Sequence, residues 1–177
     1  MNSNQIIIFA SGSGSNAENI VNYFSNKRSN HKWLICTNNP KARVIERAKK
    51  LQIDYKIFTK DELYNGSILN CINSLNPELI ILAGFLLKFP IEIIDVYNKK
   101  IVNIHPALLP KYGGKGMYGM NVHKAIIKNK EVVSGITIHY VNKKYDEGPI
   151  IFQKEIKINA SYTPNDLANK IHDLEME

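Results

Sequence analysis

The sequence predicts an α/β fold, and three observations carry that reading. Short apolar runs alternate with stretches of helical periodicity through the first 105 residues. A Gly/Ser loop follows directly on the first apolar run. Two later runs are joined by a loop too short to be a parallel crossover. Together they predict a Rossmann-like, doubly wound, three-layer arrangement, with a mostly parallel sheet and an antiparallel C-terminal strand pair.

Ile6 to Ala10 reads as a buried strand, and a helix pattern runs from about Asn16 to Phe24. Lys32 to Cys36 is the next strand. Asn39-Pro40 reads as a helix start with proline in the first turn, and Val44, Ile45, Ala48 and Leu51 then share one face. Tyr55 to Phe58 is a third strand, and one helix is expected over Asp61 to Leu75 through Ile68, Leu69, Ile72 and Leu75. Leu79 to Ala83 and Ile101 to His105 are further strands. Pro106 to Gly119 is a long irregular stretch, of the kind more often functional than not. A helix pattern covers Met120 to Ile127. Gly135 to Val141 and Ile150 to Ile158 form the antiparallel pair at one edge of the sheet. The last helix spans Thr163 to Glu175, with Thr163 as N-cap, Pro164 in the first turn and Asp166 completing a capping box. The chain stops in that helix without a C-cap signal, a pattern that suggests truncation. The whole of 1–177 reads as a single domain.

The chain has 177 residues, 44% hydrophobic and 22% charged, which suits a soluble globular protein with a real core. No apolar run approaches the ~20 residues of a membrane helix, and no signal-peptide core is present. A cytoplasmic location is the expectation. Cys36 and Cys71 read as buried free thiols. The net charge of +7 comes from scattered lysines, such as Lys49-Lys50, Lys99-Lys100 and Lys143-Lys144, so a solvated basic surface is expected rather than a nucleic-acid stripe.

Three places carry chemistry. Asn103 and His105 lie two apart on a strand and so on one face, and Pro106 ends the strand beside them. An amide and an imidazole at a strand end suit proton or acyl transfer. The run Ser11-Gly12-Ser13-Gly14-Ser15-Asn16 stands between a strand and a helix, where backbone N–H groups and the helix N-terminus can hold a phosphate or another anion. Ala17 replaces the third glycine of the dinucleotide fingerprint, and no P-loop lysine follows. Asp146, in the loop of the antiparallel pair, is either an Asx-turn residue or a carboxylate set against His105, whose pKa it would raise. His123 and His139 are weaker candidates, His31 and His172 read as solvated, and no spacing suggests a metal site.

Asn103-Ile104-His105-Pro106-Ala107-Leu108-Leu109-Pro110 resembles the signature of the folate-dependent formyltransferases. The Gly/Ser loop, Leu82-Ala83-Gly84-Phe85 and Tyr145-Asp146-Glu147-Gly148-Pro149 fall in the order of that family, in the branch that formylates glycinamide ribonucleotide for purine biosynthesis. The resemblance implies formyl transfer from 10-formyltetrahydrofolate as cosubstrate. It implies Asn103, His105 and Asp146 as the catalytic trio, and Gly14, Ser15 and Asn16 as the substrate-phosphate loop. Glu175 matches a substrate-contacting glutamate. Leu86, Leu87, Lys88 and Phe89, with Asn142, Lys143, Lys144, Tyr145 and Asp146, match segments lining the folate pocket, where Asn103 also lies. Residues 1–100 would be a phosphate- and nucleotide-binding half and 101–177 a catalytic and folate-binding half. Small-molecule substrates are expected, with no nucleic acid, membrane or metal, in a monomer or homodimer. Two departures stand out: Leu86-Leu87-Lys88 lacks the arginine common after Gly-Phe-Met, and the loop Gly113 to Gly119 is unusually glycine-rich.

The rivals are a methionyl-tRNA formyltransferase, which the basic charge fits but the first loop does not, and a formyltetrahydrofolate hydrolase, whose extra N-terminal domain is not seen. A non-catalytic nucleotide-binding module is the rival of another class.

Overall fold

In the computed structural model, which describes residues 4–27 and 29–177, isoleucine-rich runs make the central strands of the first unit, Gln5–Phe9 and Leu79–Ala83, because both faces of those strands are covered. That unit is Met1–Val102, and a second is Asn103–Glu177. The first holds β1 (Gln5–Phe9), α1 (Ser15–Asn26), β2 (Lys32–Thr37), α2 (Val44–Lys50), β3 (Asp54–Ile57), α3 (Lys60–Tyr64), α4 (Ser67–Leu75), β4 (Leu79–Ala83) and α5 (Ile91–Val96). β1 pairs in parallel with β2 and with β4, and β3 adds in parallel outside β2, giving the order β3-β2-β1-β4. The path therefore runs outward from β1 on one side and returns to its other side. This reversal is the switch point at which open α/β sheets bind ligands, beyond the carboxyl ends of the strands. The loops after β1 and β4 meet there: Ser11 N–H donates to the Gly84 carbonyl (3.0 Å), and Leu86 N–H donates to Ser11 Oγ (3.0 Å).

Ile6, Ile8, Ala17, Val21, Ile35, Val44, Ala48 and Ile81 pack together in the core of this unit. Phe9 meets the rings of Phe58, Phe85 and Phe89 edge-on, at 5.8, 5.4 and 5.1 Å.

Three local expectations are corrected here. The helix expected over Asp61 to Leu75 is two helices, because Gly66 adopts φ 91° and Asn65 Oδ1 accepts from Ser67 N–H (3.0 Å), restarting the chain. A capping box between Thr59 and Glu62 starts the first of them. Asn39-Pro40 does not open a helix. Asn39 accepts from Ala42 N–H through its carbonyl (3.0 Å) and from Lys41 N–H through its side chain (2.9 Å), so Pro40 sits inside a turn and α2 starts at Val44. His31 is half-buried against Phe24 and Trp33 rather than fully solvated. The short helix α5, following Pro90, was not anticipated from the sequence.

β5 (Ile101–His105) leads into the second unit, which adds α6 (Met120–Lys128), β6 (Val133–Tyr140), β7 (Ile150–Lys157) and α7 (Pro164–Glu175) in the strand order β5-β6-β7. β6 and β7 are antiparallel, as the short loop requires, with a register shift between Ile138 and His139. The fold class is thus α/β, mostly parallel with an antiparallel C-terminal pair. Ala107, Val122, Ile126, Ile136, Leu167, Ile171 and Leu174 form the second unit's core. The Thr163–Asp166 capping box starts α7 as expected.

One buried hydroxyl ties the segment after β5 to β6. Thr137 Oγ1 donates to the Ala107 carbonyl (2.6 Å) and accepts from Leu109 N–H (3.0 Å) and Gln153 Nε2 (2.9 Å). Thr137→Val keeps the shape and strands these partners. Urea denaturation is expected to show a loss of about 2–4 kcal/mol. A loss below about 0.5 kcal/mol, the ordinary range of an inconsequential substitution, would show that the hydroxyl anchors nothing.

Candidate active site

Strand alternation brings Asn103 and His105 to one face of β5, while Val102 packs on the first unit's core. His105 is 3% exposed. Its Nε2–H donates to the Tyr112 carbonyl (2.8 Å), which fixes the tautomer and turns Nδ1 toward Asp146 Oδ2, 3.7 Å away.

Asp146 reaches this point because its loop is held tightly. Tyr140 N–H donates to the Pro149 carbonyl (2.9 Å), and Lys144 N–H donates to Asn142 Oδ1 (2.9 Å). A Cβ at Gly148 would lie 1.7 Å from the Tyr140 carbonyl oxygen, so no other residue fits. Asp146 itself has φ 54°, a left-handed conformation that Asp tolerates better than most residues. Gly114 N–H donates to Asp146 Oδ2 (2.9 Å), and a Cβ at Gly113 would stand 3.0 Å from that of Asp146. The glycine-rich loop is therefore packed directly against the carboxylate.

A fourth side chain completes the cluster, and reading the sequence undervalued it. His139 is 2% exposed; its Nδ1–H donates to the Tyr140 carbonyl (2.9 Å), leaving Nε2 as the acceptor. Asn103 Nδ2 donates to that Nε2 (3.1 Å) and, over a longer contact, to Asp146 Oδ1 (3.4 Å). His139 Nε2 is 3.6 Å from Asp146 Oδ1. The available signal was the alternation of Thr137 and His139 with Ile136 and Ile138, which marks a polar face; that β6 lies next to β5 is not written in it.

Burial pushes the His105 imidazole below its ordinary value of 6.5, and His139's charge adds to this; Asp146 and the Tyr112 carbonyl pull the other way and lose. Asp146 does act upward, as expected, but the expected raised pKa is corrected to a lowered one because burial outweighs the carboxylate, and the resting ring is neutral at neutral pH. For Asp146, burial is the largest single influence and acts upward. Its contact with His139, the Gly114 N–H and the attraction of either imidazole when charged together outweigh it and hold the carboxyl below its usual range. His123 is buried with Nδ1 unpartnered, and burial, then His105's charge, lower its pKa.

Gly14 caps α1 with φ 72°, and a Cβ there would lie 2.3 Å from Val44 Cγ2. Ser13 and Ser15 hydroxyls share a contact of 3.2 Å, and Asn16 follows in the first turn. The N–H groups of such a turn have no partner inside the helix. Leu86 and Lys88 are exposed and Leu87 half-buried, whereas the Phe89 ring is core, so that residue can offer only backbone to a ligand. The Lys88 carbonyl accepts from Tyr64 Oη–H (2.8 Å). Asn142 is half-buried, and Lys143, Lys144 and Tyr145 are exposed. Glu175 ends α7, 3.7 Å from His172. Among the described residues no group of His, Cys, Asp and Glu could hold a metal ion, and no helix is long and apolar enough to cross a membrane.

A mostly parallel sheet with a glycine-serine loop at its switch point, and an Asn–His–Asp cluster set on β5, is the architecture of a Rossmann-like α/β fold. The chain belongs to the formyl transferase family, whose model matches residues 4–177. It is 36% identical over 174 residues to phosphoribosylglycinamide formyltransferase, chloroplastic, of Arabidopsis thaliana, covering 94% of the chain and 60% of that protein. It is likewise 36% identical to phosphoribosylglycinamide formyltransferase of Bacillus subtilis over 175 residues, 95% of the chain and 87% of that protein. The crystal structure of phosphoribosylglycinamide formyltransferase from Anaplasma phagocytophilum superposes with a TM-score of 0.89 at 29% identity, covering 99% of the chain and 82% of that one. The chain spans less than two thirds of the plant relatives' length, 60% of the Arabidopsis and 55% of the Vigna unguiculata protein.

The depressed imidazoles set a pH dependence. Folded His105 and His123 resist protons that the unfolded chain takes up near 6.5, so the unfolded state gains protons first as pH falls. Stability is fully present above that value and is lost as pH drops from it toward the lower folded-state values. Thermal unfolding between pH 7.5 and 5 should show this slope, shallower in a His105→Gln, His123→Gln double variant. Parallel slopes for the two proteins would contradict it.

Proposed function

We propose that the protein transfers a formyl group from 10-formyltetrahydrofolate to the amine of glycinamide ribonucleotide in purine biosynthesis. The observation that carries this reading is the gathering of Asn103, His105 and Asp146 around one buried point. Family membership and the names of the relatives support it. A methionyl-tRNA substrate has no observation in its favour beyond the net charge.

The reaction needs a carbon–nitrogen bond to form, a carbon–nitrogen bond to break, and one proton to move from the incoming to the outgoing nitrogen. The amine attacks the formyl carbon and its carbonyl becomes an oxyanion, which must be met by donors. Both Asn103 amide hydrogens are engaged at rest; the long contact to Asp146 is the one to release toward the oxyanion. His105 Nε2–H is committed to Tyr112, so Nδ1 is the ring atom that works. Neutral at rest, Nδ1 accepts the amine proton, and Asp146 stabilises the resulting imidazolium. That imidazolium faces the oxyanion and then returns the proton to the folate nitrogen as the old bond breaks. No covalent enzyme intermediate enters, and buried Cys36, its thiol pushed far up by burial, takes no part.

Gly14, Ser15 and Asn16 are assigned to the substrate phosphate, and Glu175 to the same substrate. Leu86 to Phe89 and Asn142 to Asp146 are assigned to the folate. The division into a phosphate half, 1–100, and a formyl and folate half, 101–177, within one formyltransferase domain belongs to this reading, as does a cytoplasmic location.

A spectrophotometric folate assay with glycinamide ribonucleotide tests it. His105→Ala and Asp146→Asn should each lower kcat by about 10²–10³, with KM values little changed. Near-normal kcat in both variants would refute the roles. Release of formate without transfer would favour the hydrolase instead.

A further inference from the structure

Behind the anion loop stands a residue to which neither the sequence reading nor the family signature assigns a role. Three consecutive carbonyls of this loop are turned away and engaged. Gly12 accepts from Val44 N–H (3.2 Å), Ser13 accepts from Arg47 Nε–H (2.8 Å), and Gly14 accepts from Glu18 N–H inside α1 (2.9 Å). In a planar trans peptide the C=O and the following N–H point in opposite directions. Fixing those carbonyls therefore aims the N–H groups of Ser13, Gly14 and Ser15 the other way, as a set. Two of the three anchors are backbone groups. The middle one is a side chain, so the direction of the Gly14 N–H depends on Arg47.

We propose that Arg47 is a positioning residue for phosphate binding, holding the Ser13–Gly14 peptide so that the Gly14 N–H faces the anion. This rests on the phosphate role proposed for Gly14 to Asn16. The guanidinium is itself held: it forms an ion pair with Glu18, whose side chain is only 19% exposed, with Lys50 Nζ at 4.0 Å from the same carboxylate. That pairing offsets Arg47's charge locally, so its contribution comes from the directed Nε–H rather than from a positive field. Arginine suits this task because its planar fork donates in two directions at once, to the carboxylate and to the carbonyl, where a lysine ammonium offers a point charge. Val44, from the same helix, closes the back of the loop against Gly14, so α2 acts as the template on which the loop is shaped.

The test is inorganic phosphate titrated into the full chain while the Gly14 amide is followed by ¹⁵N–¹H NMR, alongside steady-state kinetics. Arg47→Met is expected to weaken phosphate binding and raise the ribonucleotide KM about tenfold, the loss of one charge-assisted hydrogen bond. The folate KM and kcat should move less than about twofold. Arg47→Lys, which keeps the charge, should be nearly as impaired. Wild-type affinity in Arg47→Met, or full rescue by lysine, overturns the proposal. Should the methionine variant fail to fold, the lysine variant decides alone. Phosphate that leaves the wild-type Gly14 amide unmoved also overturns it. The formyl-transfer assay judges the reaction separately, since phosphate can bind this loop whether or not formyl moves.

Discussion

Burying a carboxylate costs several kcal/mol unless its lone pairs are met, and the second unit is organised around meeting those of Asp146. Oδ2 accepts from the Gly114 N–H and Oδ1 from the Asn103 amide, and a nitrogen of each imidazole stands near them, at 3.7 and 3.6 Å, able to add a donor when its ring is protonated. Each partner is aimed by something else. The Tyr112 carbonyl orients His105, the Tyr140 carbonyl orients His139, and His139 in turn orients Asn103. Because the two carbonyls hold opposite nitrogens of the two rings, one imidazole presents Nδ1 and the other Nε2. The cluster is therefore ordered by backbone acceptors, and a backbone acceptor does not change its protonation near neutral pH.

The same constraint explains the glycines. Gly148 permits the loop closure that delivers Asp146, and Gly113 permits the close approach of the loop that donates to it. In the first unit Gly14 plays the corresponding part, admitting Val44 to the back of the loop before α1. In each place a side chain would occupy space already filled by backbone or core. These loops hold their shape because they are packed, with the switch point of the sheet supplying the frame for the first.

Much of this was legible in the sequence, for reasons that are local. Ile6 to Phe9 announced a buried strand by composition, Thr163 and Asp166 announced a helix start by spacing, and Asn103 and His105 announced a shared face by a period of two. What stayed hidden depended on partners distant in the chain or on competing turn chemistry. His139 looked like one more strand residue until β6 was placed beside β5. The direction of the His105 shift could not be foreseen because it depends on how completely the ring is buried, not on which acid is near. Pro40 fitted a helix start equally well as a turn, and the side chain of Asn39 decided between them. Arg47 gave no signal at all, since its partner is a carbonyl 34 residues away.

Long-range ¹H–¹⁵N spectra of the histidine side chains at neutral pH probe the cluster most directly. The arrangement requires His105 to appear as the neutral ring carrying its proton on Nε2, with Nδ1 bare toward the carboxylate. A doubly protonated ring, or a proton on Nδ1 alone, would mean that the charge balance around Asp146 is not the one described and that His105 is not poised to receive a proton.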